Sequence, residues 1–416
     1  MTDTQVMPLR AFAEVTLGRM RTPDQAEGPH MVRYLRAANV LDGQLDLSDV
    51  KEMNFSPGEQ LTYALRAGDV LISEGSGSLA TVGANAVWNG EVDGVVCFQN
   101  TLLRLRPREN ADARYLAWWC RHAFGSGLFA SIATGANIYH LSGERLRSLP
   151  LRAPNKSTQR AIADFLDRET ARIDAIIVRK RLLTSNLDAR CEAAIDSSFA
   201  DLLGSATVSP TSRLGRQVLS ITDGPFGSRL TSAHYSVEGA RVVRLANIGR
   251  AEFVNEDQAW IPRDYFDELR SHEVVAGDLL MAGLGDEGHP VGRACIAPTG
   301  LEPAIVKADC FRIRLDQTTL LHEFAAWFFS SGVGSRLTAT RIRGATRDRI
   351  NTSVARELEL PVPSLAEQRR VVDHCVRSRN NSRRPSGLVA GQIALLIEHK
   401  HALITAAVSG QIEVAA

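Results

Sequence analysis

Asn155-Lys-Ser-Thr-Gln-Arg-Ala-Ile-Ala-Asp-Phe-Leu-Asp-Arg-Glu-Thr-Ala-Arg-Ile-Asp174 opens a run with apolar residues at Ile162, Leu166, Ile173, Ile176, Leu183, Leu187 and Ala194. Steps of three, four and seven put these side chains on one stripe of a helix, with a period close to the heptad. Pro154 precedes the run, and Asn155 is a suitable N-cap because its side-chain oxygen can accept from an orphan amide of the first turn. No Gly or Pro interrupts the run before Gly204. A helix of about 40 residues is roughly 60 Å long, well beyond the usual globular length. So narrow a stripe needs a partner.

The chain supplies one. Gln368-Arg369 repeats Gln159-Arg160 at an offset of 209 residues. The same offset relates Leu65-Arg-Ala-Gly-Asp-Val-Leu71 to Val274-Val-Ala-Gly-Asp-Leu-Leu280, and Ala117-Trp-Trp119 to Ala326-Trp-Phe328. Leu35-Arg-Ala-Ala-Asn-Val40 returns one residue out of step as Val243-Arg-Leu-Ala-Asn-Ile248. Pro363, then Ser364 with Glu367 three residues on, form a capping box for a second long helix, with Leu396 and Leu403 on its stripe. The repeat sets the fold class, α+β in two tandem units of about 200 residues. The expected boundaries are a mixed domain over 1–154, a helix over 155–203, a second domain over 204–363 and a second helix over 364–416. Two such helices in one chain most simply pair with each other; the alternative is that each packs only on its own domain.

Composition places limits on function. At 44% hydrophobic and 23% charged, this is an ordinary globular composition, and no apolar run approaches membrane-spanning length. The first residues lack the basic and apolar regions of a signal peptide. Six scattered cysteines without a Cys-x-x-Cys fit a reducing cytoplasm and argue against a zinc finger or a disulfide frame. A net charge of +1 does not indicate a strongly basic nucleic-acid binder, although Arg341 to Arg349 and Arg377 to Arg384 are local basic clusters.

Catalytic motifs fail one by one. Gly283-Leu-Gly285-Asp-Glu-Gly288 has the spacing of a dinucleotide fingerprint, but Pro290 and Gly292 follow where a helix should open. There is no P-loop, no G-x-S-x-G elbow, no H-E-x-x-H and no Asn-Pro-Pro-[Tyr/Phe] segment. The pairs Cys120/His122 and His399/His401 have no further ligand at metal spacing. This pattern favours a binding or adaptor protein without metal or cofactor of its own.

Three stretches resemble the specificity subunit of type I restriction-modification systems: Gln159 to Asp174, Leu360-Pro-Val-Pro-Ser-Leu-Ala-Glu-Gln-Arg369, and the tail His401 to Val414. The resemblance covers essentially the whole two-unit plan, and is specific in the helices and loose in the globular parts. It implies that the domains are target recognition domains, each reading one half of an asymmetric, bipartite site on double-stranded DNA. It implies that the helices form an antiparallel coiled coil that fixes the unread spacer. It further implies docking of two methylation subunits that carry S-adenosylmethionine, with restriction or translocase subunits as further partners, all in the cytoplasm. Loop context and side-chain chemistry then nominate Arg36, Asn39, Ser76 and Asn137 as base readers in the first domain. In the second they nominate Arg244, Asn247, Arg293, Arg343 and Arg347. Arginine pairs with guanine, and Asn with adenine. An orphan DNA-binding adaptor that no longer supports methylation is the alternative; an intact methyltransferase is disfavoured by the missing motifs.

One stretch departs from the pattern. The second helix runs His374-Cys-Val-Arg-Ser-Arg-Asn-Asn-Ser-Arg-Arg-Pro385-Ser-Gly387, without an apolar seam and with an interior Pro and Gly. A compensated pair of frameshifts or a genuine loop would give this pattern. Pro in a helix interior costs about 3 kcal/mol or more, so the expectation is a kinked or poorly packed segment between Val371 and Leu388.

Overall fold

The computed structural model describes residues 5–204, 210–286, 288–342 and 348–414, apart from the side chain of Asp24. The chain divides into two compact units, Met1–Lys180 with Ala390–Ala416, and Arg181–Val389. Both long helices are present, Lys156–Gly204 with 49 residues and Leu365–Ser409 with 45. The division cuts each helix, so a unit is a globular part plus one portion of each helix rather than a domain plus the helix that follows it.

In the first unit a four-stranded antiparallel sheet runs in the order Ala13–Leu17, Leu102–Pro107, Asp69–Ser73, Asn85–Trp88. Asp69–Ser73, expected from Val70-Leu-Ile72, is buried along its whole length. A second sheet has the order Val96–Phe98, Met31–Leu35, Lys51–Asn54, with the first pair parallel. The aromatic helix Ala113–Gly125 lays Tyr115, Trp119 and Cys120 into a core shared with Phe12, Leu103, Leu105 and Phe129. Ile162 and Leu166 of the first long helix join this core, as do Ile404, Ala407 and Val408 of the second.

The second unit repeats the plan. Its antiparallel sheet is ordered Val218–Thr222, Cys310–Leu315, Leu279–Ala282, Ala294–Ile296. A second sheet is ordered Trp260–Ile261, Ala240–Val243, Ala304–Val306, Glu273–Val274. The helix His322–Ser330 packs Phe324 and Phe328 edge-on against Phe199 of the first long helix, and Val371 and Cys375 of the second close the same core.

The helices start as the sequence predicts. Asn155 Oδ1 accepts from the Thr158 amide at 2.9 Å, and Ser364 Oγ from the Glu367 amide at 3.3 Å. They pair antiparallel in each unit. In the first, Asp174 takes Lys400 Nζ at 2.7 Å, and Lys180 Nζ reaches Gln392 Oε1 at 2.6 Å. In the second, Ser382 Oγ donates to Asp188 Oδ1 at 2.8 Å.

The seam needs correction in its middle. Ile162, Leu166 and Ile173 are buried as expected, and Leu187, Leu396 and Leu403 are half-buried. Ile176 is only half-buried and Ile177 takes its place, while Leu183 is 48% exposed. A step of four from Ile173, not three, sets the phase, and the half-buried Lys180 and Thr184 then lie inward. Apolar counting passes over polar seam positions.

The segment expected to be kinked or poorly packed lies within one helix that continues through Pro385. Cys375, Ser382 and Val389 are buried along this stretch, and charged contacts replace the missing apolar seam. The Arg379 guanidinium lies 3.8 Å from the Trp327 ring centroid and donates to the carbonyls of Ala251 at 3.0 Å and Arg250 at 2.7 Å. Burial pushes its pKa down to about 10, with the neighbouring Arg383 charge acting in the same direction. Arg383 in turn pairs with Glu252. These side chains line a cavity of about 430 Å³ with Asp188, Glu192 and Asp196. No helix among the described residues is long and apolar enough to cross a membrane.

Candidate nucleic-acid interface

Arg36 and Asn39, and Arg244 and Asn247, have the side chains that pair with guanine and adenine. Each stretch instead forms one 3₁₀ turn, in which the Asn39 amide donates to the Arg36 carbonyl at 2.8 Å and the Asn247 amide to the Arg244 carbonyl at 2.9 Å. Asn39 accepts from the Arg36 amide at 3.1 Å and donates to the carbonyls of Asp46 and Asp49 at 2.8 and 3.2 Å. Asn247 accepts from the Arg244 amide at 2.8 Å and donates to the carbonyls of Val254 and Asp257 at 2.8 and 2.7 Å. Both asparagines are buried. Arg36 pairs with Asp49, and Arg244 with Asp257. The same turn with the same partners in both units is framework. Asn39 and Asn247 therefore leave the reading surface, while the half-buried Arg36 and Arg244 remain beside it as ion-paired groups.

Arg293 is also corrected. It is 4% exposed and donates to the carbonyls of Ile248, Leu245, Leu284, His289 and Pro290 at 2.6, 2.9, 3.2, 3.3 and 3.2 Å. A guanidinium so engaged ties loops together and has no edge to offer a base. Arg343 and Arg347 lie outside the described residues.

Ser76 and Asn137 lie on the two sides of one short ladder. Gly75–Ser76 pairs antiparallel with Tyr139–His140, placing Ser76 opposite Tyr139 and the exposed Asn137 just before the turn into that strand. Ser76 Oγ lies 2.5 Å from Thr81 Oγ1. In the second unit Leu284 bridges Arg349 antiparallel, at the repeat positions of Gly75 and His140. The supporting backbone is the same in both. The Glu74 amide donates to the Thr101 carbonyl at 2.9 Å, and the Glu74 carbonyl accepts from Leu141 at 2.7 Å. The Gly283 amide donates to the Asp309 carbonyl at 2.7 Å, and the Gly283 carbonyl accepts from Ile350 at 2.9 Å.

On this shared frame sit two charged pairs that loop composition alone did not single out. His140 Nδ1 lies 3.1 Å from Glu74 Oε2, with side chains 53% and 22% exposed. Arg349 Nε donates to Asp309 Oδ1 at 2.9 Å, with side chains 52% and 19% exposed. The signal that could have found them is the repeat itself, since the offset of 209 carries His140 onto Arg349.

Two glycines let an entry loop close on each frame. A Cβ on Gly18 would lie 2.1 Å from the Gln99 carbonyl oxygen, and one on Gly224 would lie 2.1 Å from the Lys307 carbonyl carbon. Beside Gly224, burial pushes the Asp223 carboxyl up to about 6, against the lowering hydrogen bond from the Gly224 amide, while the Asp309 charge raises it further. Phe226 follows in the same loop and is 48% exposed. Among the described residues no group of three or more His, Cys, Asp or Glu is placed to hold a metal ion.

Residues 1–181 match the family model described as the type I restriction modification DNA specificity domain. It is the family that the wording of the long helices resembles. A curated relative, the type I restriction enzyme StySPI specificity subunit of Salmonella potsdam, is 22% identical over 345 residues, covering 81% of this chain and 73% of that protein. Among solved structures, a chain of a type I R-M system determined in a study of complex assembly and conformational transition is similar with a TM-score of 0.71 at 18% identity. That match covers 98% of each chain. The HsdS subunit of Thermoanaerobacter tengcongensis is similar at a TM-score of 0.49 and 17% identity, covering 98% of this chain and 97% of that one. The specificity-domain match spans the first unit's globular part, and the second unit carries the same order in its four-stranded antiparallel sheet and the same turn framework.

Proposed function

We propose that this chain is the DNA-sequence-specificity subunit of a type I restriction-modification complex. Each unit reads one half of an asymmetric bipartite site, and the paired helices fix the unread spacer. The chain is non-catalytic; two methylation subunits dock on it and bring S-adenosylmethionine, and a restriction subunit is a further candidate partner. The observation that carries this reading is the duplication of one framework in a chain whose residues 1–181 match a specificity domain: the same order of the four-stranded antiparallel sheet, the same Arg-x-x-Asn turn and the same bridge recur in each unit.

Physical chemistry supports it. A near-neutral net charge of +1 suits a subunit whose partners share the phosphate contacts that dominate affinity. Paired loops with exposed side chains such as Asn137, His140 and Arg349, beside the half-buried Ser76, suit readout of base edges. Arg343 and Arg347 remain proposed readers on sequence grounds.

The test is a methylation map. The chain is expressed with a cognate methylation subunit in a host free of DNA methylation, and the DNA is sequenced with modification detection. The expected result is a split motif with methyl-adenine in both halves. A soluble chain that yields no new methylation would point to the orphan adaptor instead.

A further inference from the structure

We infer that His140 and Arg349 are the specificity-determining residues at equivalent points of the two units, and that Arg349 reads a guanine. The inference rests on the proposed role as a specificity subunit. Two copies of one framework that read different half-sites must differ where they read and agree where they only support. The agreements are plain. Arg36 and Arg244 pair with Asp49 and Asp257. Arg106 and Arg314 pair with Asp69 and Asp278 at 2.6 and 2.7 Å. Arg104 and Arg312 are buried, each on hydroxyls of the neighbouring strand. None of these can distinguish one unit from the other.

His140 and Arg349 behave differently. They occupy the same rung of the same antiparallel bridge, opposite Gly75 and Leu284. Both are about half exposed, where framework arginines such as Arg104 are buried. Each faces a carboxylate, but the carboxylate comes from different places: Glu74 lies beside the bridge, whereas Asp309 sits at the foot of the neighbouring strand. The place is kept, and the side chain and its counter-charge are exchanged together.

The chemistry follows from which atoms the carboxylates take. Asp309 engages Nε and Nη2 of Arg349. That holds the guanidinium plane before DNA arrives and leaves the Nη1–Nη2 edge to meet O6 and N7 of guanine as two parallel hydrogen bonds. Glu74 takes Nδ1 of His140 and leaves Nε2 as the outward atom for a single hydrogen bond to a base edge. The second unit thus has the sharper reader. Exposed ion pairs contribute little to folding stability, so variants at these positions test readout rather than fold.

The experiment is the methylation map, repeated with His140→Ala, Arg349→Ala and Arg349→Lys in the full chain with its methylation subunit. The expected result is loss of about tenfold or more in preference at one base pair. It falls in one half-site for His140→Ala and in the other for both Arg349 variants, because Lys keeps the charge but not the two-bond geometry. The position relaxed by Arg349→Ala is a guanine in the wild-type motif. An unchanged motif in all variants overturns the inference. So does a uniform fall in modification with the motif intact, which marks a phosphate contact. Absence of a split motif from the wild type overturns the function reading itself, and this inference with it.

Discussion

Gln159 and Gln368, 209 residues apart, hold the same three backbone groups in their respective units. Gln159 accepts from the Asp112 amide at 2.7 Å and donates to the carbonyls of Asn110 at 3.1 Å and Pro154 at 2.8 Å. Gln368 accepts from the Leu321 amide at 2.8 Å and donates to the carbonyls of Thr319 at 2.8 Å and Pro363 at 2.9 Å. Both are fully buried. Each therefore clamps the first turn of a long helix to the loop that opens the aromatic helix of its own unit. The Gln-Arg repeat visible in the sequence is this clamp.

Replacing either glutamine by Leu leaves a buried amide and two carbonyls without partners, at about 1–3 kcal/mol for each group so stranded. Gln368→Leu should destabilise the second unit and abolish exchange protection of the Leu321 amide while the Asp112 amide stays protected; Gln159→Leu should do the reverse. Hydrogen exchange read by mass spectrometry decides it. Equal effects at both amides from one substitution would contradict separate clamps.

The two arginines over Glu252 should differ sharply. Arg379→Ala strands two carbonyls and removes a guanidinium stacked on Trp327 at 3.8 Å. A loss of about 1–3 kcal/mol follows from the stranded carbonyls, with about 1 kcal/mol more from the cation–π contact. Arg383 has a side chain 54% exposed; its pair with Glu252 is worth at most about 1 kcal/mol. Urea denaturation of the two Ala variants gives the comparison, and a costlier Arg383→Ala would reverse the assignment.

Pro385 stands inside a continuous helix and cannot donate to the Asn381 carbonyl. Pro385→Ala should restore that bond and stabilise the second unit, by up to the roughly 3 kcal/mol that an interior Pro costs. The checks are the denaturation midpoint and amide exchange over residues 381–389. Unchanged exchange there would mean that the surrounding contacts, not the helix bond, set local stability.

Asp223 supplies a pH dependence. Its folded pKa of about 6 lies above the ordinary aspartate value of 3.8, with burial as the leading cause. Between those values the folded state binds the extra proton, so this group's contribution to stability falls as pH rises through the window. Asp223→Asn should raise the melting temperature at pH 8 and lose that advantage near pH 4. A constant difference across the range would show that the carboxyl is not strained by burial. His272, whose ring Nδ1 lies 2.6 Å from the Asp223 carbonyl oxygen, is itself held low by burial. The variant comparison separates the two groups.

Much of the architecture was legible because duplication writes it twice. The offset of the Gln-Arg pairs located both helices, and the Ala-Gly-Asp stretches marked Asp69–Ser73 and Leu279–Ala282. The seam was half legible: apolar residues mark Leu166 and Ile173, but Lys180, Thr184 and Ser382 lie on the packed face and carry no apolar signal. The Arg377 to Arg384 stretch reads as poorly packed in the sequence because its packing comes from Arg379 over Trp327 and from carbonyls distant in sequence. The site was least legible. Asn39, Asn247 and Arg293 have the chemistry of base readers, but backbone groups brought by folding claim that chemistry. His140 and Arg349 stand out only once the two bridges are seen to be the same.

The core of the first unit includes Ile404, Ala407 and Val408 beside Leu9, Phe12 and Leu166. The ribosome makes Leu9 and Phe12 almost a whole chain before Ile404, Ala407 and Val408. The second unit, Arg181–Val389, is contiguous and can close as soon as it emerges. The first unit cannot finish its core until the last helix has been synthesised, and must then close a loop of more than 200 residues to do so. Folding order therefore runs opposite to the order of synthesis. A chain cut short near its end would leave the first unit's core open, although none of that unit's own loops had been touched.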